Sequence, residues 1–183
     1  MTTYTRRRVV ITGMGTVNPC GLTVQETWDN LLAGKSGIGL VDRFDVSEYA
    51  CRIAGQVKGF DPDKFIDKKE QKKMDIFIRY ALGAADEAWK DAGLDGVELS
   101  KEERERFGTY IGSGIGGLNT IWEEASGFRG PRRISPFFIP SLIVNMASGF
   151  ASIKYGLKGP NSAVATACAT GNHRSEERRV GKE

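Results

Sequence analysis

Apolar residues along the chain fall into short blocks whose spacing alternates between strand-like and helix-like periods. Val9-Val10-Ile11 is a β-branched run ended by Gly13 and Gly15, and it predicts a buried strand over 9–11. Thr23 followed by Glu26 reads as a capping box; Trp28, Leu31 and Leu32 recur behind it at helical spacing, and Gly34 stands past the end. Residues 35–73 predict loops with one strand near 52–57, and Asp61-Pro62 opens a short helix. From 75 to 91, Phe77, Ala81, Ala84, Ala85, Ala88 and Trp89 predict a long helix closed by Gly93, and its alanines predict close packing. Ser100 and Glu103 cap a short charged helix ahead of a strand over 107–111.

That strand breaks at Gly112-Ser113-Gly114-Ile115-Gly116-Gly117, before a helix over 118–126. A loop over 127–140 holds three prolines and three arginines. The next helix, over 141–155, carries Leu142, Ile143, Met146, Phe150 and Ile153, so it is expected to be buried. A strand over 162–166 then leads into Ala167-Cys168-Ala169-Thr170-Gly171. The order β-α-(β)-α-β-α-α-β predicts an α/β domain with a mixed or largely parallel sheet.

Composition narrows the function classes. With 183 residues and 40% hydrophobic content the chain can bury a real core. No apolar run reaches the ~18 residues of a membrane span, and the run after Arg6, Arg7 and Arg8 is too short for an export signal. A soluble, cytoplasmic protein is expected. Cysteines at 20, 51 and 168 with the single histidine, His173, cannot supply a structural zinc site, and no metal is expected. Twenty-six basic and 23 acidic residues are too balanced for a nucleic-acid protein. One histidine is also few for an enzyme doing acid/base work at neutral pH.

Two features are candidates for chemistry. Gly112, Gly114 and Gly117 match G-x-G-x-x-G between a strand and a helix, the context of a dinucleotide site, but residues 130–139 lack the acidic residue that would hold a ribose. Glycines that let backbones approach closely are the better reading. Cys168 stands where a strand ends and a helix begins, among small residues. There the unpaired N–H groups favour a thiolate, the neighbours leave room for a carbonyl carbon, and the residue's own N–H can face a developing oxyanion. The residues alone leave open a buried cysteine packed like an alanine.

The segment Gly159-Pro160-Asn161-Ser162-Ala163-Val164-Ala165-Thr166-Ala167-Cys168-Ala169-Thr170-Gly171-Asn172-His173 resembles the active-site region of the β-ketoacyl-acyl carrier protein synthases. Arg7-Arg8-Val9-Val10-Ile11-Thr12-Gly13-Met14-Gly15, the glycine run 112–117 and Ile134-Ser135-Pro136-Phe137-Phe138-Ile139-Pro140-Ser141 resemble further parts in collinear order. The type II branch, which elongates fatty acids, is the nearest: Thr166-Ala167-Cys168 lacks the Asp usual in modular ketosynthases and keeps the cysteine that chain-length factors lose.

The resemblance implies the N-terminal half of a thiolase-like fold layered α-β-α-β-α, a homodimer, no cofactor, and a decarboxylating Claisen condensation on acyl and malonyl groups carried by acyl carrier protein. It implies that Cys168 is the nucleophile and supplies one oxyanion donor, and that two catalytic histidines and a lysine lie in the other half. His173 matches a histidine without a catalytic role. Ile115, Phe138 and Ile139 match the acyl pocket, the latter two across the dimer interface. Lys69, Lys72 and Lys73, expected on one helix face, match with Arg132 and Arg133 the basic patch that docks the carrier.

Residues 174–183 are charged at nearly every position, where the family continues as an apolar helix. They are read as foreign to a domain cut just after its nucleophile. Without them 22 basic and 20 acidic residues remain, so the basic balance means little. Such a piece is expected to be inactive and unstable by itself. The alternatives are a non-catalytic interaction protein and, less favoured, a nucleotide-binding oxidoreductase domain.

Overall fold

The helices of the first hundred or so residues start where a side chain takes the orphan N–H groups of the first turn. Thr23 accepts from Glu26 N at the start of α1 (Val24–Leu32), while the Glu26 carboxylate reaches past Thr23 to Leu22 N. The computed structural model describes residues 8–130 and 133–173. Arg6, Arg7, Arg132 and the tail 174–183 lie outside these.

After α1, β1 (Ile38–Leu40) pairs antiparallel with β2 (Ile53–Gly55), Leu40 opposite Ile53. A 3-10 turn, Pro62–Lys64, capped by Asp61, leads to α2 (Lys68–Gln71). Asp75 caps α3 (Ile76–Asp91), which ends at Gly93 with φ +70. Ser100 and Glu103 form a full capping box on α4 (Lys101–Arg106). β3 (Thr109–Tyr110) is followed by α5 (Leu118–Ser126), α6 (Phe138–Leu142), α7 (Met146–Tyr155) and β4 (Asn161–Ser162). β3 and β4 pair in parallel, Thr109 beside Asn161 and Tyr110 beside Ser162, so the three helices form the crossover that a parallel pair requires.

The core lies where α3 meets α7. Ile78 and Leu82 are fully buried with Phe150 and Ala151, joined by Ile66 and Met74. At the rim Trp89 stacks on Tyr155 at 4.3 Å, and Asp86 holds Lys154 and Lys90 at 2.8 and 2.7 Å.

The alanines of α3 take the N-terminal segment. A Cβ on Gly13 would strike Ala88 O and the Ala92 backbone, and one on Gly15 would strike Ala84 O. The segment's amides point into the same helix: Met14 N donates to Asp91 at 2.8 Å and Thr16 N to Glu87 at 2.9 Å. The other Glu87 oxygen takes Val24 N, tying α1 to α3.

Five expectations are corrected. Residues 9–11 form no strand; the segment they lead into packs Gly13 and Gly15 on α3, and Ile11 is 83% exposed. The strand over 107–111 shortens to Thr109–Tyr110, and that over 162–166 to Asn161–Ser162, because the chain then turns out of the ladder toward Cys168. The helix over 141–155 is two helices: Leu142 O accepts from Gly117 N at 2.8 Å, and Ile143 is extended. α7 is buried on one face only, with Ala147, Ser148, Phe150 and Ala151 inside and Ile153 outside.

Candidate active site

Past β4 the backbone swings through Thr166 into Ala167, whose φ of +48 is the only positive value among described non-glycine residues. For an L-residue that conformation costs about 1–2 kcal/mol. A 3-10 turn, Ala167–Ala169, follows and carries Cys168 with its side chain exposed; residues 170–173 are helical. The turn is closed by Ala169 N donating to Thr166 O at 3.1 Å. The Thr170 hydroxyl accepts from Thr166 N at 2.9 Å and donates to Ala167 O at 2.8 Å. His173 Nδ1 lies 2.9 Å from the Thr166 hydroxyl, so the only histidine is engaged in holding the turn.

The glycine run packs against this turn. A Cβ on Gly112 would strike Val164 O and lie 2.5 Å from the Thr170 methyl, while one on Gly114 would lie 3.4 Å from Ala167 Cα. Gly116 has φ +83 and abuts Leu142, and its N–H donates to the Ser113 hydroxyl at 3.0 Å. Gly117 is wedged between Leu142 and the Asp75 carboxylate. That carboxylate, from a residue only 5% exposed, takes Thr120 N at 2.8 Å and the Thr120 hydroxyl at 2.7 Å. The α5 N-terminus, where a dinucleotide would place its pyrophosphate, is therefore filled by an anion of the protein itself. The nucleotide reading fails on this geometry.

Ile115 projects from the glycine loop, 70% exposed. Phe138 and Ile139 begin α6, which the Gly117 N to Leu142 O bond fastens to that loop; Phe138 is half-buried and Ile139 is 56% exposed. The loop, the α6 turn and the cysteine turn are thus one contiguous surface.

The basic residues lie beside the start of α6. α2 ends at Gln71, so Lys69 is helical, Lys72 is the C-cap and Lys73 lies beyond, where Arg79 donates to Gln71 O at 2.8 Å and Met74 O at 3.1 Å. Lys73 pairs with Glu70 at 2.6 Å and covers the Phe137 ring at 5.5 Å, whereas Lys69 and Lys72 are exposed. Lys72, Arg79, Thr120, Phe137 and Phe138 line one groove of about 360 Å³, so the lysine cluster and the start of α6 are neighbours. Arg133 is exposed, and Arg132 lies outside the described residues. The sequence reading missed Thr170 and Asp75 as holders of the site; the placement of Thr170 two residues past the cysteine was the available signal.

The site is thus an α/β unit that delivers a cysteine from a parallel strand pair onto a left-handed turn, with a glycine loop against it. The chain belongs to the family described as Beta-ketoacyl synthase, N-terminal domain, which matches residues 6–176. It is 50% identical over 92% of its length to 3-oxoacyl-[acyl-carrier-protein] synthase 2 of Vibrio cholerae, and 49% identical over 92% to the protein of that name from Coxiella burnetii. It spans about 40% of the length of each. Its fold matches the ishigamide ketosynthase/chain length factor, with a TM-score of 0.76 at 28% identity over 97% of this chain and 45% of that one. The fold is therefore the thiolase-like layered one of the ketosynthases.

Proposed function

We propose that the chain supplies the N-terminal half of a type II β-ketoacyl-acyl carrier protein synthase of fatty acid synthesis, with residues up to 173 belonging to it and 174–183 foreign. One observation carries the reading: Cys168 is an exposed thiol on a left-handed turn, in a chain half identical to relatives of that name.

The Cys168 thiolate attacks the carbonyl carbon of an acyl thioester on acyl carrier protein. The new C–S bond forms as the old one breaks, and the carrier's sulfur leaves as a thiolate that takes its proton from water. Cys168 N–H serves as one donor to the transient oxyanion. Malonyl-acyl carrier protein then loses CO₂, and its carbanion attacks the Cys168 thioester, forming the C–C bond and returning the thiolate. This balances without a cofactor. The groups that stabilise the carbanion belong to the other half in the family, so residues 1–183 alone do not condense.

Ile115, Phe138 and Ile139 take the acyl chain, in keeping with their contiguity and apolar character. Lys69, Lys72, Lys73, Arg132 and Arg133 receive the acidic carrier. The complete enzyme is a cytoplasmic homodimer.

The test is a hybrid in which residues 8–173 replace the matching part of the Vibrio cholerae relative. Incubation with acyl-acyl carrier protein is expected to leave an acyl group on the Cys168 peptide and to give condensation with malonyl-acyl carrier protein. Cys168→Ala abolishes both; acylation elsewhere overturns the reading.

A further inference from the structure

The Thr170 hydroxyl is used in both directions within a single turn, and its two partners flank Ala167. Thr166 N, on one side, donates to it at 2.9 Å; Ala167 O, on the other, accepts from it at 2.8 Å. Ala167 C=O and Cys168 N–H belong to one trans peptide plane and point in opposite directions. Whatever fixes that carbonyl also aims the cysteine's amide.

We propose that Thr170 is a positioning residue, holding the Ala167–Cys168 peptide so that the thiol and N–H of Cys168 present themselves together; this rests on the reading of Cys168 as nucleophile. The hydroxyl is shielded, since Thr170 is 8% exposed, and its methyl is lodged against Gly112, which locks the side chain. The need for a clasp is local. Ala167 holds φ +48 against its own Cβ, and losing the hydroxyl leaves Thr166 N without its partner and Ala167 O with the Thr170 backbone N–H alone.

Thr170→Val keeps the shape and removes the hydroxyl; Thr170→Ser keeps the hydroxyl. Iodoacetamide labelling of the hybrid, read by peptide mass spectrometry, gives the rate at Cys168 relative to Cys51 in buffer and in concentrated urea, with half-buried Cys20 reporting unfolding. In buffer the wild-type ratio exceeds the urea ratio; Thr170→Val lowers it about tenfold, the factor a lost buried hydrogen bond is worth, with Cys20 unchanged. Thr170→Ser restores it within about twofold, well below that factor.

Ala167→Gly supplies the second arm. Glycine adopts the left-handed turn unaided, so in that background Thr170→Val loses little. Equal ratios in buffer and urea, no loss in Thr170→Val, a loss accompanied by urea-like Cys20 labelling, or an undiminished loss in the Ala167→Gly background each overturn the proposal. The hybrid separates the two readings: an unacylated Cys168 that still follows this labelling pattern removes the ketosynthase reading and keeps Thr170, and an acylated Cys168 indifferent to Thr170→Val does the reverse.

Discussion

The Asp75 carboxylate accepts both the backbone N–H and the hydroxyl of Thr120, at 2.8 and 2.7 Å. The same side chain caps α3, so one buried acid joins the first turns of two helices. Asp75→Ala leaves the Thr120 amide unpartnered and removes a cap, at a cost of about 2 kcal/mol. The urea midpoint of the hybrid is expected to fall accordingly; an unchanged midpoint would show that water replaces the carboxylate at no cost.

The glycine loop predicts a contrast between two substitutions. Gly112→Ala drives a methyl into Val164 O and the Thr170 methyl, costing about 1–3 kcal/mol, and displaces the turn that carries Cys168. Gly39→Ala meets nothing within 4 Å. Acylation of Cys168 in the hybrid should drop sharply in the first variant and stay near wild type in the second.

Carrier docking should follow exposure. Lys69→Glu and Lys72→Glu reverse free charges and are expected to weaken acyl carrier protein binding several-fold each at low ionic strength, less at high salt. Lys73→Glu also breaks the pair with Glu70 and the contact with Phe137, so its effect should include lost stability. Iodoacetamide labelling of Cys168 should be unchanged in the first two variants; equal carrier binding in both would remove the docking assignment.

Asp86 gives a pH dependence. Burial pushes its carboxyl up, but hydrogen bonds and charge from Lys154 and Lys90 outweigh this and hold it below the ordinary 3.8. A depressed carboxylate contributes stability that is present above its unfolded value and lost as pH falls through the folded one. Asp86→Asn should therefore flatten the acid limb of the hybrid's stability profile below about pH 4. An acid limb identical to wild type would place its origin elsewhere.

Val10, Ile11, Leu32, Leu40 and Trp122 are each at least 66% exposed. Residues 1–183 are expected to bind a hydrophobic dye, self-associate and melt without a sharp transition. A monomer with a cooperative transition would contradict this.

The starts after Thr23, Asp61 and Ser100 were legible because each is a local event, a side chain capping the helical turn that begins at the next residue. The ends of strands were not, since a strand lasts only as long as its partner, and Tyr110 and Ser162 mark where β3 and β4 part. The break between α6 and α7 was equally hidden, because the competitor for Leu142 O is Gly117, far back in the chain.

By itself the sequence determined the α3 helix and its closing Gly93, the caps at Thr23, Asp61 and Ser100, and the placement of Cys168 between a strand and a helix among small residues. Tertiary structure alone decided that Ala167 is left-handed, that Thr170 clasps it from both sides, that Gly13 and Gly15 serve packing on α3, and that Asp75 fills the α5 N-terminus. Caps and periodicity act within a turn or two of chain, whereas these four relationships depend on which distant backbones come into contact, and that is set only when α3, α7 and the β3–β4 pair have packed.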